Sequence, residues 1–393
     1  MRGKRMAVRL KAMDLHTNIM NLPKKLLDIT RINVYDPDFR MEELKEIPLP
    51  PKPRAKKANY AISQAPPQYS DENLAKKTEK SKPFQFLIGS ISIENGKFKL
   101  DNWIRDDLKP LPKNLLDYRH LDVFDININI HNFMLFKDEF TGVVDGINLR
   151  ERSGFELNKL VVGDAKISPT ETALYGLQIE TPYSLVGDTL RFLYPDGYTA
   201  FREFDDKVTM DIRLHSGRVL IDDIMTFAVG LENNPFFVRN RQELATVEAR
   251  VFGKVNTLKL PNFDISLGKG FQAAGKFESR DLKNDNETYV NLDLTKLRTT
   301  MPALRQLIPN FKPSEQFDKL GNLKFAGKFF GFLNDFTAKG NLNTDLGDAG
   351  MDTKLVIAGD KTTYNGFLTL TDFNLGQFLE DKNLGKVTLK PKY

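Results

Sequence analysis

The sequence has no cysteine and only four histidines, and both features restrict the chemistry that the chain can support. Without cysteine there is no disulfide framework, no thiolate zinc site and no cysteine nucleophile. The histidines, His16, His120, His131 and His215, are scattered and show no metal-ligand spacing. No G-x-S-x-G motif and no recognisable set of nucleophile, base and orienting residue is present. We therefore expect no enzymatic activity, no cofactor and no metal site.

Long hydrophobic runs are also missing. No stretch approaches the roughly 18 to 20 consecutive apolar residues that are needed to span a bilayer. The N-terminal residues MRGKRMAVRLKAM begin with positive charges, as a signal peptide does, but Arg9, Lys11 and Asp14 interrupt the apolar segment that should follow. The sequence therefore predicts neither a membrane anchor nor an export signal within this chain.

The excess of positive charge lies in one proline-rich segment. The formal charge of the chain is +5, and residues 47–83 contain seven prolines, eight basic residues and three acidic ones. The rest of the chain is neutral, whereas a nucleic-acid groove needs Lys and Arg along the binding surface of the fold. We predict no nucleic-acid partner. The same composition predicts that residues 47–83 form a disordered loop between two ordered parts, residues 1–46 and 84–393.

Alternation of apolar and polar residues is the dominant pattern outside that loop. It is clearest in DININI (125–130), VTMDIRL (208–214), VNLDL (290–294) and residues 323–329. A period of two indicates strands with one apolar and one polar face, which is typical of antiparallel sheets. Helices are predicted to be few and short, at residues 301–308, 314–320 with Ser314 as N-cap, and 375–381. The predicted fold is mainly β.

Residues 91–100, ISIENGKFKL, predict a β-hairpin. Asn95-Gly96 is a dipeptide that tolerates positive φ at both central positions of a type I′ turn. Such a turn would place the flanking apolar residues opposite each other on one face of the hairpin. The predicted pairs are Ile93 with Phe98 and Ile91 with Leu100.

Residues 212–221 repeat this pattern, with Ser216-Gly217 in the place of the turn. The predicted pairs are Leu214 with Val219 and Ile212 with Ile221, and His215 and Arg218 would lie on the polar side. Two segments thus predict the same hairpin design, with one apolar and one charged face.

The apolar faces of these strands need a cover, and a β-sandwich core is one interpretation. About twenty strands in one sheet, at a spacing of roughly 4.8 Å, would instead extend for about 95 Å. Their apolar face would be far larger than soluble monomers expose, so the sheet would have to curl. A long curled antiparallel sheet with an apolar lining is a groove for lipid chains. The candidate lining residues are Ile91, Ile93, Phe98, Leu100, Met210, Ile212, Leu214, Val219, Ile221, Leu292, Leu294 and Phe325.

Six segments carry a family resemblance through their order along the chain. They are INVYDPDF (32–39), IGSISIENGKFKL (88–100), SGFEL (153–157), TPYS (181–184), GNLKFAGKFFGFLNDFTAKGNLNTDLG (321–347) and YNGFLTLTDFNLGQFLEDKNLGKVTLK (364–390). In these segments the chain resembles the AsmA-like superfamily, most closely the translocation and assembly module (TamB) family of the Bacteroidetes type. The resemblance extends over nearly all of the chain outside the loop.

The resemblance implies a long β-groove in a periplasmic cell-envelope protein that is anchored in the inner membrane. Such proteins are associated with lipid transport to the outer membrane and with outer-membrane protein assembly. They are several times longer and carry a transmembrane helix and a domain that meets an outer-membrane partner, so we expect this chain to be an N-proximal fragment. Its expected role is to conduct phospholipid or another acyl-chain lipid. The alternatives are a scaffold that assists outer-membrane protein assembly or translocation, and a carbohydrate-active β enzyme.

Overall fold

The computed structural model describes residues 3–44, 83–105, 115–227, 231–282, 287–307, 313–332, 334–358 and 361–390. In these residues the fold is mainly β, with one 20-stranded sheet and a few short helices, which confirms the predicted fold class. The loop predicted at residues 47–83 lies outside the described residues, apart from Pro83.

Strands make up most of the described residues, and the helical segments between them are short. The strands are β1 (Gly3–Arg9), β2 (Ala12–Asn21), β3 (Leu26–Tyr35), β4 (Asp38–Leu44), β5 (Gln85–Asn102), β6 (His120–Phe136), β7 (Glu139–Glu151), β8 (Glu156–Ser168), β9 (Glu171–Glu180), β10 (Leu185–Leu193), β11 (Thr209–Leu220), β12 (Leu244–Lys254), β13 (Thr257–Leu267), β14 (Phe271–Arg280), β15 (Tyr289–Thr300), β16 (Asn322–Phe332), β17 (Asp335–Thr344), β18 (Gly347–Ala358), β19 (Lys361–Asn374) and β20 (Lys386–Leu389). The helices are α1 (Phe204–Lys207), α2 (Ile221–Phe227), α3 (Pro235–Arg239), α4 (Met301–Leu307) and α5 (Leu375–Leu379), with 3-10 helices at Trp103–Arg105, Tyr198–Glu203, Leu231–Asn233 and Glu315–Leu320.

The order of the strands in the sheet largely follows the chain. From β5 to β20, each strand pairs antiparallel with the next. At the N-terminus, β1 pairs antiparallel with β4, and β2 pairs antiparallel with β3. Both β3 and β4 pair in parallel with β5. The sheet is therefore mixed, whereas the sequence predicted a wholly antiparallel one. Parallel strands need a long connection in the chain, and Leu44 at the end of β4 and Gln85 at the start of β5 are 41 positions apart.

Residues 91–100 do not form the predicted hairpin, because β5 runs through them without reversing. Asn95 does have a positive φ, of 55°, but it forms a β-bulge, at which the pairing of β5 with β6 shifts between Ile93 and Gly96. Its side-chain amide donates to Oδ1 of Asp36 (2.5 Å), and its backbone N–H donates to Oδ1 of Asn127 (2.9 Å). Asp36, between β3 and β4, and Asn127 on β6 thus hold this bulge in place.

The second predicted hairpin is wrong for the same reason. β11 continues through Ser216, whose φ is 49°, and its pairing with β12 shifts between Leu214 and Gly217. Ile221 is not on a strand and does not pair with Ile212. It is the first residue of α2, and its N–H donates to the carbonyl of Glu243 (3.1 Å).

A one-residue bulge and a two-residue turn leave the same mark in the sequence. Both place a residue at positive φ. Both also shift the apolar residues that follow from odd to even residue numbers, or from even to odd. The predicted pairings were therefore wrong, although the predicted shared face is correct. A Cβ added to Gly96 would lie 3.3 Å from side-chain atoms of both Ile93 and Ile126, so Gly96 belongs to the same face as Ile93.

The bulges give a stability prediction. Asn95→Val and Ser216→Val should each lower the free energy of unfolding by about 1 to 3 kcal/mol relative to the glycine variants, because valine is strained at positive φ. Asn95→Gly and Ser216→Gly are the matched controls, since glycine loses the same side-chain contacts without the strain. Urea unfolding of the four variants measures the difference. Equal stability of the valine and glycine variants would contradict the bulged geometry.

The three predicted helices are confirmed by α4, by the 3-10 helix Glu315–Leu320 and by α5. Ser314 is the N-cap as predicted, with its hydroxyl oxygen accepting from the backbone N–H of Gln316 (3.3 Å). The sequence missed α1, α2 and α3. These helices have four, seven and five residues. The residues of α2 follow directly on the alternating segment of β11, which the sequence predicted to extend through Ile221.

Most of the helical segments lie at one margin of the sheet, which we call the helical rim. It consists of α2 after β11, α3 before β12, α4 after β15, the 3-10 helix before β16 and α5 after β19. Because consecutive strands alternate in direction, all these strand ends are at the same margin. Residues 115–118, before β6, also join the rim, since Leu116 N–H donates to Thr226 O (3.1 Å) and the Tyr118 hydroxyl donates to Phe227 O (2.8 Å).

Candidate functional site

One face of the sheet is apolar, and the pairing register makes it continuous from strand to strand. On the N-terminal side, a cross-strand row joins Leu15, Ile32, Ile91, Ile130 and Val144, each paired with the next. We call this surface the apolar face. On the strands that follow, Leu174, Leu190, Ile212 and Val251 are paired in the same way. A further row lies on the C-terminal side, through Val247, Ile265, Ala273, Leu297, Phe325, Leu342, Ala349, Leu370 and Leu389.

The structure places the predicted lining residues on strands of this face, with the exception of Ile221. Met210, Leu294 and Phe325 are buried, with exposed fractions of 8%, 5% and 6%. Ile221 is also buried, but in the contact between α2 and the sheet. The other predicted lining residues are half-buried: Ile91, Ile93, Phe98, Leu100, Ile212, Leu214, Val219 and Leu292.

Phe325 belongs to a buried cluster on the apolar face. Its ring lies over two glycines on adjacent strands, because a Cβ on either Gly327 or Gly340 would lie 2.7 Å from its Cζ. The ring centroid of Phe329 is 5.2 Å away. An aromatic ring over strand glycines replaces the packing that those residues lack. The buried cluster around it draws on five consecutive strands, through Ala249, Phe263, Ala273, Leu294 and Phe325.

The helical rim covers one margin of the apolar face. Ile221 and Met225 of α2 pack on Ala245 and Leu267, which lie at the ends of β12 and β13. Further along the rim, the buried residues are Leu320, Leu323, Leu346 and Phe373. All 20 strands belong to the one sheet, so the described part of the chain holds no second sheet that packs on this face. The β-sandwich core, which was one interpretation of the sequence, is not the arrangement found in the described residues.

Toward both edges of the sheet the apolar face is open. At the N-terminal edge, Met6, Met13 and Leu15 on β1 and β2 are exposed. At the C-terminal edge, Leu368 on β19 is 57% exposed, although it pairs with Met351 on the same face. Exposed apolar side chains that form a contiguous surface are typical of interaction surfaces and binding grooves.

The opposite face, which we call the polar face, carries cross-strand ion pairs. Lys328 Nζ lies 3.2 Å from Oδ2 of Asp293, and Lys339 Nζ lies 2.8 Å from Oδ2 of Asp352. Exposed pairs of this kind add little to stability. They show that this side of the sheet faces water, so the two faces have the opposite characters that the alternation predicted.

The acidic pair in α2 is used in structural contacts. Asp222 accepts from Nε of Arg241 (2.6 Å), and Asp223 accepts from the hydroxyls of Thr181 (2.6 Å) and Ser184 (2.5 Å). These bonds tie the 181–184 turn to the helical rim. Within the described ranges, no group of three or more His, Asp or Glu side chains is arranged to hold a metal ion.

Sequence reasoning missed the part of the apolar face on β7 to β9. Val162 and Leu177 belong to it and are 1% and 8% exposed. Bulges interrupt the alternation here, with three register shifts between β7 and β8 alone. Two glycines could have indicated these bulges in the sequence, because a glycine inside a strand often marks a bulge. Gly163 on β8 and Gly176 on β9 (φ 61°) face each other across the two strands.

The fold and the site define an open β-sheet protein with one continuous apolar face. Comparison with protein-family models, with curated proteins and with solved structures finds no match for this chain. None of the helices in the described ranges has the length and apolar character needed to cross a membrane.

Proposed function

We propose that this chain is a segment of a hydrophobic β-groove that conducts phospholipid, or another lipid with acyl chains, along its apolar face. The observation that carries the proposal is the set of cross-strand rows on the apolar face, which extend from Leu15 to Val144, from Leu174 to Val251 and from Val247 to Leu389. Each methylene group that leaves water for such a surface contributes about 0.8 kcal/mol. Binding of this kind needs no specific polar partner.

The arrangement of the rows suits movement along the sheet. A row runs across the strands, so neighbouring residues in it, such as Ile265 and Ala273, come from adjacent strands about 4.8 Å apart. An acyl chain that lies along a row exchanges one set of aliphatic contacts for a similar set as it shifts by one strand. Contacts of similar strength at every step allow binding and movement together.

The six segments that resemble the AsmA-like superfamily support a setting in the cell envelope. In this proposal the chain works in the periplasm, as part of a protein that is anchored in the inner membrane and meets an outer-membrane partner. The groove would then carry lipid between the two membranes.

A scaffold for outer-membrane protein assembly is the second candidate, and the open edge of the sheet favours it. β1 and β2 each pair on one side only in the described part of the chain, and every residue of β1 is exposed. An unpaired edge offers backbone donors and acceptors to an incoming strand.

Mass spectrometry of lipids extracted from the purified chain tests the first candidate. We expect phospholipid in amounts comparable to the protein, because the apolar face would otherwise be exposed to water. A soluble β protein of known lipid-free character, purified in the same way, is the control. A lipid content no higher than that of the control would contradict the groove. If the lipid-free chain instead binds a β-strand peptide at β1, the result would favour the scaffold.

A further inference from the structure

The polar face contains two adjoining open cavities near the helical rim, with volumes of about 600 and 550 Å³. Arg298 on β15 and Lys324 on β16 line both cavities. Lys269 lines the first and Lys296 lines the second. The site lies on the face opposite to the proposed lipid track.

A bulge in β15 lies directly beneath this site. The pairing of β15 with β16 shifts between Leu294 and Leu297, and the pairing with β14 shifts between Ala274 and Gly275. A bulge bends its strand and re-aims the side chains that follow it. Here it carries Lys296 and leads to Arg298, so both cations reach the same concave part of the polar face.

Positive charge exceeds negative charge in both cavities. Each is lined by three cationic side chains and by one carboxylate, Asp345 in the first and Asp348 in the second. Asp345 accepts from the backbone N–H of Asn322 (3.0 Å), and Asp348 accepts from the side-chain amide of Asn343 (2.5 Å). The two carboxylates are therefore bound to amides and do not pair with the cations.

Arg298 and Lys324 are directly opposite each other in the register of β15 and β16. Like charges in this relation destabilise a sheet. Lys328 and Lys339 are opposite each other in the same way, but each has a carboxylate partner, Asp293 and Asp352. No carboxylate among the described residues forms an ion pair with Arg298 or Lys324. A local arrangement that opposes stability without compensation within the fold is typical of a binding site.

Hydrogen-bond donors continue the row on both sides. Gln272 is paired with Arg298, and Asn343 is paired with Lys324, so four donor side chains follow one another across β14 to β17. The guanidinium fork of an arginine matches the oxygens of a phosphate group, and a lysine beside it adds a point charge. Adjacent cross-strand side chains start about 5 Å apart, close enough to contact one phosphate together.

We propose that this part of the polar face binds a phosphate group, held between Arg298 and Lys324. We call it the phosphate site. The phosphate belongs to a soluble phosphorylated compound or to a lipid headgroup, and both present the same oxygens to the two cations. Arg298 and Lys324 each follow or precede a residue of the apolar row, Leu297 and Phe325, so their side chains point to the other side of the sheet.

Isothermal titration calorimetry with inorganic pyrophosphate, and flotation with vesicles of phosphatidylcholine containing phosphatidic acid, test the proposal. We expect saturable binding of at least one probe, which weakens as salt is raised. Arg298→Gln and Lys324→Gln should each reduce the affinity roughly tenfold or more, because each removes a charged hydrogen-bond donor. Binding of pyrophosphate alone indicates a soluble ligand, and binding of the vesicles indicates a headgroup.

Lys328→Gln is the matched control, because it removes one cation from the same strand and face outside the site. It should leave the affinity within about twofold, since Lys328 is already paired with Asp293. The melting temperature gives a second readout, and Arg298→Gln and Lys324→Gln should leave it unchanged or raise it, because the like-charge pair is removed. Absence of saturable binding to both probes, or an equal loss in Lys328→Gln, would overturn the phosphate site.

Discussion

Ile212→Asp and Leu292→Asp are expected to weaken lipid binding strongly while the chain still folds. Both residues are half-buried on the apolar face, so water reaches part of each side chain. A carboxylate there should lower the free energy of unfolding by only about 1 to 3 kcal/mol. An acyl chain that passes along the row would have to desolvate the same charge, which should reduce lipid affinity by roughly tenfold or more.

The neighbouring residues on the polar face provide matched controls. Arg213→Asp and Asn291→Asp introduce the same side chain one position away, where the strand turns it to the opposite face. Both parent residues are exposed, so these variants should fold and keep their lipid. Circular dichroism melts and lipid quantification on all four proteins are the measurements. Unfolding of the two apolar-face variants would instead identify a closed core.

Phe325→Ala should cause the largest loss of stability, about 3 to 5 kcal/mol in the free energy of unfolding. Phe325 is 6% exposed, and its ring covers Gly327 and Gly340. Removal of the ring leaves a cavity and exposes the backbone of two paired strands, and neither glycine has a side chain that could fill the space. Urea unfolding, with hydrogen exchange of the amides in β15 to β17, measures the effect.

Phe330→Ala is the control for that loss. Phe330 lies on the same strand but faces the polar side and is 40% exposed, so its removal should cost less than about 1 kcal/mol. Similar losses in the two variants would mean that the faces of β16 have been assigned the wrong way round.

The faces of the strands could be predicted from the sequence, whereas their partners could not. Alternation correctly groups Ile91 with Ile93, and Phe98 with Leu100, because side-chain direction depends only on local backbone geometry. The two groups share a face because of the bulge at Asn95. Pairing depends on which strands meet. Asn95 satisfies the positive φ of a turn and of a bulge equally well, and only the presence of β3 and β6 on either side of β5 decides between them.

Local sequence patterns could not predict which residues cover the apolar face, for a similar reason. α2 has only seven residues. Its residues Ile221 and Met225 can be recognised as buried only when the fold places Ala245 and Leu267 beneath them. The juxtaposition of Arg298 and Lys324 is likewise a result of register, since these residues lie far apart in the chain and β15 and β16 bring them together. In the sequence, Arg298 and Lys324 each stand out only as a single charged residue on the polar side of a predicted strand.

Site-specific photocrosslinking along the apolar face tests the central claim most directly. A photoreactive amino acid at Ile91, Ile212 or Leu292 should crosslink to phospholipid in cells, because these three positions lie on one continuous apolar surface. The same amino acid at Ser92, Arg213 or Asn291, each one residue away, should not, because it faces the other side of the sheet. Lipid adducts at the first three positions and none at the second three are the predicted result. Equal labelling of the two sets, or no lipid adduct at any position, would contradict a groove that conducts lipid.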